Sequence, residues 1–319
     1  MALTLLQIVQ AAQGELGLPQ SATVIGNTDP TTVQMFSLSN RVLDELRRMN
    51  RWTAMQFEYD LIVDVAIKTT GDLVQNSAVI TNIPSTAGLT ANNYAISALG
   101  LLQAARIQSV DSATQITMNM EVIGSSSVGA TIEFGRDTYP IPTDFDFFNN
   151  ETMWDRTNQW RLLGPDSPQQ DQWQRSGIVN VGPRRHFRKL GPYTSDFRLW
   201  PAPFEIANPL QLVFEYMSLN AVSVSGSNTS FAQYFANDTD QSLLDAQAVI
   251  QGIKWMFWEI KGFNYVAMQN RWVDYVEKLA ARDGAAPTLS MARRPSPIYI
   301  TPWNAQDGND PGPGNNSPI

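Results

Sequence analysis

A single histidine, His186, and the absence of cysteine limit what this 319-residue chain can catalyse. A Ser-His-Asp arrangement or a multi-histidine zinc site would have to be built on that one imidazole. Thiolate nucleophiles, disulfides and thiolate metal sites are ruled out. His186 falls in Arg184-Arg185-His186-Phe187-Arg188-Lys189, a basic stretch of strand-like pattern. Such a run can meet phosphate or an acidic neighbour. On a chain of net charge −8 and pI near 4.7, a contact between subunits is the better reading, with Arg184, Arg185 and Arg188 as candidate interface residues. Asp144 and Asp146 stand two apart, and Glu151 and Asp155 stand four apart, where a helix would put them on one face. Paired carboxylates of this kind can hydrolyse glycosides, but solvated or capping roles are commoner. No phosphate-binding glycine loop, HExxH, GxSxG or EF-hand pattern occurs. We therefore expect a non-enzymatic protein with no catalytic, cofactor-binding or metal-binding residues.

Composition points toward assembly. Hydrophobic residues make up 43% of the chain and charged residues 16%, against about 25% charged in ordinary soluble domains. A surface so poor in charge is expected to be covered in part by copies of itself. The net negative charge disfavours a groove that grips nucleic acid, yet it would let DNA slide along a wall without finding a fixed cation. There is no signal-peptide pattern and no apolar run long enough to cross a bilayer. Synthesis in a cytoplasm and no membrane association are expected.

The elements that would carry these residues can be read in order. A helix over 3–17 is marked by Leu5, Ile8, Val9, Ala12 and Leu16 at helical spacing. Asp29-Pro30 opens a second, reaching about Trp52. Residues 56–67 alternate as one half-buried strand. From Lys68 to about Gly135 the chain turns rich in Ser, Thr, Ala, Gly and Asn, with β-like runs at 78–83, 94–99, 106–110, 115–122 and 130–134. A short helix near 165–174 has Ser167 as cap and Pro168 in its first turn, and strands follow at 184–190, 197–200 and 210–219. A long helical region over 239–282 carries Trp255, Phe257 and Trp258, which make its middle apolar nearly all round. A neighbouring subunit or a large domain core could cover its second side, and Trp255 and Trp258 are candidates for a subunit interface. Gly262 marks a kink or a break. The last segment is rich in Pro, Gly, Asn and Asp but carries Ile298, Tyr299, Ile300 and Trp303, which read either as spaced anchors for ordering on a partner or as part of a floppy terminus.

The expected fold is α+β. It has a helical body of N-terminal helices plus a long C-terminal helical region, an antiparallel β portion, and an inserted small all-β module. The core domain would comprise 1–67 and 136–283, the inserted module 68–135, and an extended tail 284–319.

Tyr139-Pro140-Ile141-Pro142-Thr143-Asp144-Phe145-Asp146 and the stretches 149–164 and 167–177 carry a resemblance. So does Phe197-Arg198-Leu199-Trp200-Pro201-Ala202-Pro203, followed by a strand with Phe214-Glu215-Tyr216 and a long Trp-rich helix. Together they resemble the head-to-tail adaptor proteins of short-tailed, podovirus-like bacteriophages, also called head completion or tail tubular proteins. The likeness is closest over 136–220, less close over 239–283 and loose over 1–65. The inserted module, through Asp111-Ser112-Ala113-Thr114-Gln115-Ile116-Thr117, resembles a small β-rich domain scattered through phage structural proteins. The resemblance implies a homo-oligomeric ring of about twelve copies beneath the portal protein, closed by a head-to-tail contact. That ring would sit in the virion neck, continue the DNA channel and offer a platform to the tail nozzle protein. Ile298, Tyr299, Ile300 and Trp303 would then dock on the portal. Two other readings stand beside it: a carbohydrate-binding or glycan-degrading tail protein, motivated by the β insert and the Trp-rich 154–173 segment, and another virion component such as a nozzle or decoration protein.

Overall fold

The computed structural model describes residues 3–102, 104–176, 185–191, 196–204 and 206–284. The anchors Ile298, Tyr299, Ile300 and Trp303, together with Arg184, lie outside the described residues. In chain order the elements begin with α1 (Leu5–Glu15), α2 (Pro30–Met49), β1 (Gln56–Val63), β2 (Ile67–Leu73), β3 (Val79–Thr81), β4 (Tyr94–Ala98), β5 (Ile107–Ser112), β6 (Gln115–Met118) and β7 (Ser127–Arg136). There follow β8 (Thr138–Tyr139), β9 (Phe145–Phe148), β10 (Trp154–Asp155), β11 (Trp160–Arg161), α3 (Pro168–Ser176), β12 (His186–Lys189), β13 (Phe197–Trp200) and β14 (Leu210–Ser218). The described chain ends with β15 (Val222–Ser223), β16 (Phe231–Ala232), β17 (Gln241–Ser242), α4 (Ala246–Lys261) and α5 (Val266–Asp283).

This corrects the expected fold class. Among the described residues the chain is mostly β, with four antiparallel sheets of five, three, three and six strands, and is not a helical body. Nor is there one long C-terminal helical region. β17 occupies part of its expected start, and α4 stops where Gly262 takes a left-handed conformation (φ 76°) that only glycine adopts without strain. The physical reason is one of signal length. A helix of sixteen or twenty residues repeats its apolar stripe many times. Strands of two residues, such as β8, β10, β11, β15, β16 and β17, are too short to alternate visibly. The strand expected over 56–67 also breaks. β1 ends at Val63, Val65 is exposed, and β2 begins a different sheet at Ile67.

The chain divides into two compact units, with the division passing within β1 and within β14. The first holds residues 3–57, 144–148 and 216–284. Its helices start where the sequence supplies caps. Thr4 and Gln7 form a capping box on α1, Asp29 accepts from the Thr32 amide on α2, and Asp245 accepts from the Ala248 amide on α4. Their apolar stripes merge into one core that includes Leu5, Ile8, Val42, Leu46, Ile253 and Trp272. A small sheet of order β16-β15-β17 belongs to the same unit.

The second unit holds residues 58–143 and 149–215. Its main feature is the six-stranded sheet β4-β7-β2-β3-β6-β5. The first and last strands of that order meet through an antiparallel bridge between Ala95 and Arg106. Backbone bonds from Ile96 to Ala105 (2.8 Å) and from Asn92 to Ile107 (2.8 Å) reinforce it. The sheet thus closes into a barrel with no free edge. Its interior is filled by Leu73, Ile80, Ile96, Ile116, Ile132 and Phe134 among others. The same unit holds the three-stranded sheet β12-β13-β8 and α3.

Candidate functional site

The barrel ends in two different ways. At the end where the chain enters β2 and leaves β7, Arg106 is buried and bonded to the Asp137 carboxylate, the Asn92 carbonyl and the Thr138 hydroxyl (3.0 Å). Asp137 is wholly buried and also accepts from the Thr138 hydroxyl at 2.9 Å. Burial pushes its carboxyl upward in pKa, and the Arg106 guanidinium opposes that shift.

At the far end, the loops after β4 and after β6 touch through Gly100 and Gly124. The Ile123 and Gly124 amides both bond the Gly100 carbonyl, at 3.2 and 3.1 Å. A Cβ on Gly124 would stand 2.6 Å from the Gly100 Cα, so glycine is required there. These fixed loops hold Leu99 (93% exposed), Leu102 and Ile123 (61%) in solvent. Pairing of Leu73 with Ser127 and of Gln75 with Val122 brings Val74 and Val128 (87% exposed) to the same end. Five exposed aliphatic side chains thus gather at one end of the barrel, the kind of grouping that marks interaction surfaces in other proteins. Sequence reading missed it. The signal was there in Leu99-Gly100-Leu101-Leu102 and Ile123-Gly124, where apolar residues flank turn glycines in place of the usual polar ones.

The residues singled out from sequence are placed as follows. Trp255 is 4% exposed, with its ring against Trp272 (5.6 Å between centroids) and Tyr265 (6.3 Å), so it packs within its own unit and offers little to a neighbour. Trp258 is half-buried, edge-on to Phe263 at 5.8 Å. Beside it the α4–α5 corner exposes Ile260, Phe263 and Val266. In the basic run, Arg185 donates to the Pro201 carbonyl (2.6 Å), and burial lowers its pKa. Arg188 donates to Asp171 (2.8 Å). Both heads are engaged inside the chain. His186 is half-buried, with Nδ1 at 3.0 Å from Gln174 Nε2 and 3.4 Å from the Asp166 carboxylate.

The carboxylate pairs do not form a catalytic dyad. Asp144 accepts from the hydroxyls of Tyr216 (3.1 Å) and Ser218 (2.5 Å) and from the Asn220 amide (3.3 Å), which ties the start of β9 to the end of β14. Glu151 sits in a turn with φ 68° beside Arg161 (3.3 Å), while Asp155 is buried on β10 and accepts from Asn158. They share no helix face. A shallow depression of about 490 Å3 gathers Glu58, Glu151, Trp154, Asp155 and Glu215. Among the described residues no group of His, Asp or Glu is placed to hold a metal ion, and no helix is long and apolar enough to cross a membrane. No protein-family model matches the chain, and no curated protein matches it.

Proposed function

We propose that this chain is a structural subunit of a phage head-to-tail adaptor, a ring of about twelve copies that joins portal to tail nozzle and continues the DNA channel. The reading rests on the resemblance over 136–220. The single observation that supports it further is the exposed aliphatic end of the barrel, Val74, Leu99, Leu102, Ile123 and Val128, a grouping suited to a contact with another chain. The exposed corner at Ile260, Phe263 and Val266 gives the helical unit an apolar surface of its own. Low charge and net acidity suit repeated subunit contacts and a wall along which DNA slides. The protein needs no cofactor in this role, and its partners are its own copies, the portal, the nozzle and passing DNA. Electron microscopy of the purified chain mixed with portal tests it. Closed rings are expected, and single particles under every condition would reject the proposal.

A second reading has one observation in its favour. Trp154 is partly exposed beside Glu58, Glu151 and Glu215 in the 490 Å3 depression, where a sugar ring could stack. Glycan-array binding lost in Trp154→Ala would support it. Each of Glu58, Glu151 and Asp155 already has a partner in Arg156, Arg161 or Asn158, which leaves this reading the weaker.

A further inference from the structure

Among the described residues no carboxylate pairs directly with Arg198, though Asp137 and Asp171 lie near it. On β13 it pairs directly with Arg188 of β12 on one side and Thr138 of β8 on the other. Cross-strand partners project to the same face, and like charges set opposite one another repel. Arg106 and Arg175 add two further guanidinium groups around it. Two carboxylates face these four cations, and both are committed elsewhere. Asp171 takes Nε of Arg175 (2.9 Å) and Nη1 of Arg188 (2.8 Å), and Asp137 takes Arg106. Among the described residues Arg198 makes one hydrogen bond, Nε to the Thr138 hydroxyl at 3.5 Å, too long to count for much. Nη2 of Arg175 is buried with no partner among the described residues, its guanidinium lying 4.8 Å from the centre of the Trp200 ring. Burial, followed by the field of Arg106, pulls Arg198 down to a pKa of about 10.

Among the described residues the cluster therefore holds four guanidinium groups and two carboxylates, an excess of two positive charges on a chain whose net charge is −8. We propose that Arg198 and Arg175, flanked by Arg188 and Arg106, bind a dianionic tetrahedral oxyanion, a phosphate or phosphate monoester. The two charges of such a group equal the excess, and arginine forks match its oxygens in paired hydrogen bonds. A carboxylate would supply half the charge. Asp137 and Asp171 stay with Arg106, Arg175 and Arg188, where they fix the forks. This site is independent of the adaptor reading, since it needs neither a ring nor a portal.

The test is titration calorimetry of the full chain with inorganic phosphate, with phenyl phosphate, and with chloride at matched ionic strength. Phosphate is expected to bind and chloride not. Phenyl phosphate tells a free-phosphate site from one that accepts an ester, and binding of either supports the proposal. Arg198→Gln is expected to weaken phosphate at least about tenfold. In chloride it should melt no lower than the parent, because a repelled charge is gone. Should that variant fail to fold, Arg198→Lys keeps the charge, loses the fork, and is expected to bind several-fold more weakly. Heat of binding no greater for either phosphate than for chloride, or undiminished affinity in both variants, overturns the assignment.

Discussion

The two ends of the barrel solve the same problem with opposite materials. A closed sheet leaves its loops to seal the ends of the core. At the entry end the seal is polar, a buried Arg106 with every near acceptor supplied by Asp137, Asn92 and Thr138. At the far end the seal is two glycines in backbone contact, with Leu99, Ile123 and Val128 turned to water. The polar end is complete within one chain. The apolar end leaves its aliphatic side chains exposed in the single chain. The difference separates residues that hold the fold from residues available for function, and it does so without reference to any catalytic group.

Breaking the polar end should cost the most. Asp137→Ala strands the buried Arg106 guanidinium and is expected to destabilise the protein by about 3–5 kcal/mol in urea denaturation. A loss within 1 kcal/mol, roughly the size of a surface ion pair, would show that the pair is solvated in solution. Gly124→Ala places a methyl against the Gly100 backbone. The expected loss is about 1–3 kcal/mol, with amide exchange speeding first at Ile123 and Gly124. A smaller effect concerns the first unit. Asp240 is buried, which alone would raise its pKa, but the amides of Ala236, Ser225 and Asn237 outweigh burial and hold it below 3.8. A depressed folded pKa gives stability that is fully present above the unfolded value of about 3.9 and is lost as pH falls through the folded one. Stability should therefore decline below about pH 4, and Asp240→Asn should flatten that decline. The smallest effect on folding is expected at the apolar end. Leu99→Glu with Ile123→Glu should change stability by no more than about 0.5 kcal/mol while sharply reducing assembly.

Sequence made the helices of both units legible because their signals are local. Asp29-Pro30 opens α2, Ser167 and Pro168 open α3, and Gly262 ends α4, each within a few residues of the expected place. The barrel was half legible. Short strands could be expected over 78–134, but their closure depends on Ala95 meeting Arg106, a pairing no local pattern encodes. The mostly β balance was missed for the same reason, since two-residue strands such as β10 and β15 exist only by virtue of their partners. Trp255 looked like surplus apolar surface because a helix stripe does not reveal that Tyr265 and Trp272 fold back over it. Arg188 looked free because Asp171 comes from a different element.

The most direct test of the central claim compares the parent chain with Leu99→Glu/Ile123→Glu by mass photometry, with and without portal. The account expects closed multimers of the parent, near twelve times 35.5 kDa, and their loss in a variant that still folds. A parent that stays at 35.5 kDa in both conditions, or a variant that assembles as the parent does, would contradict it.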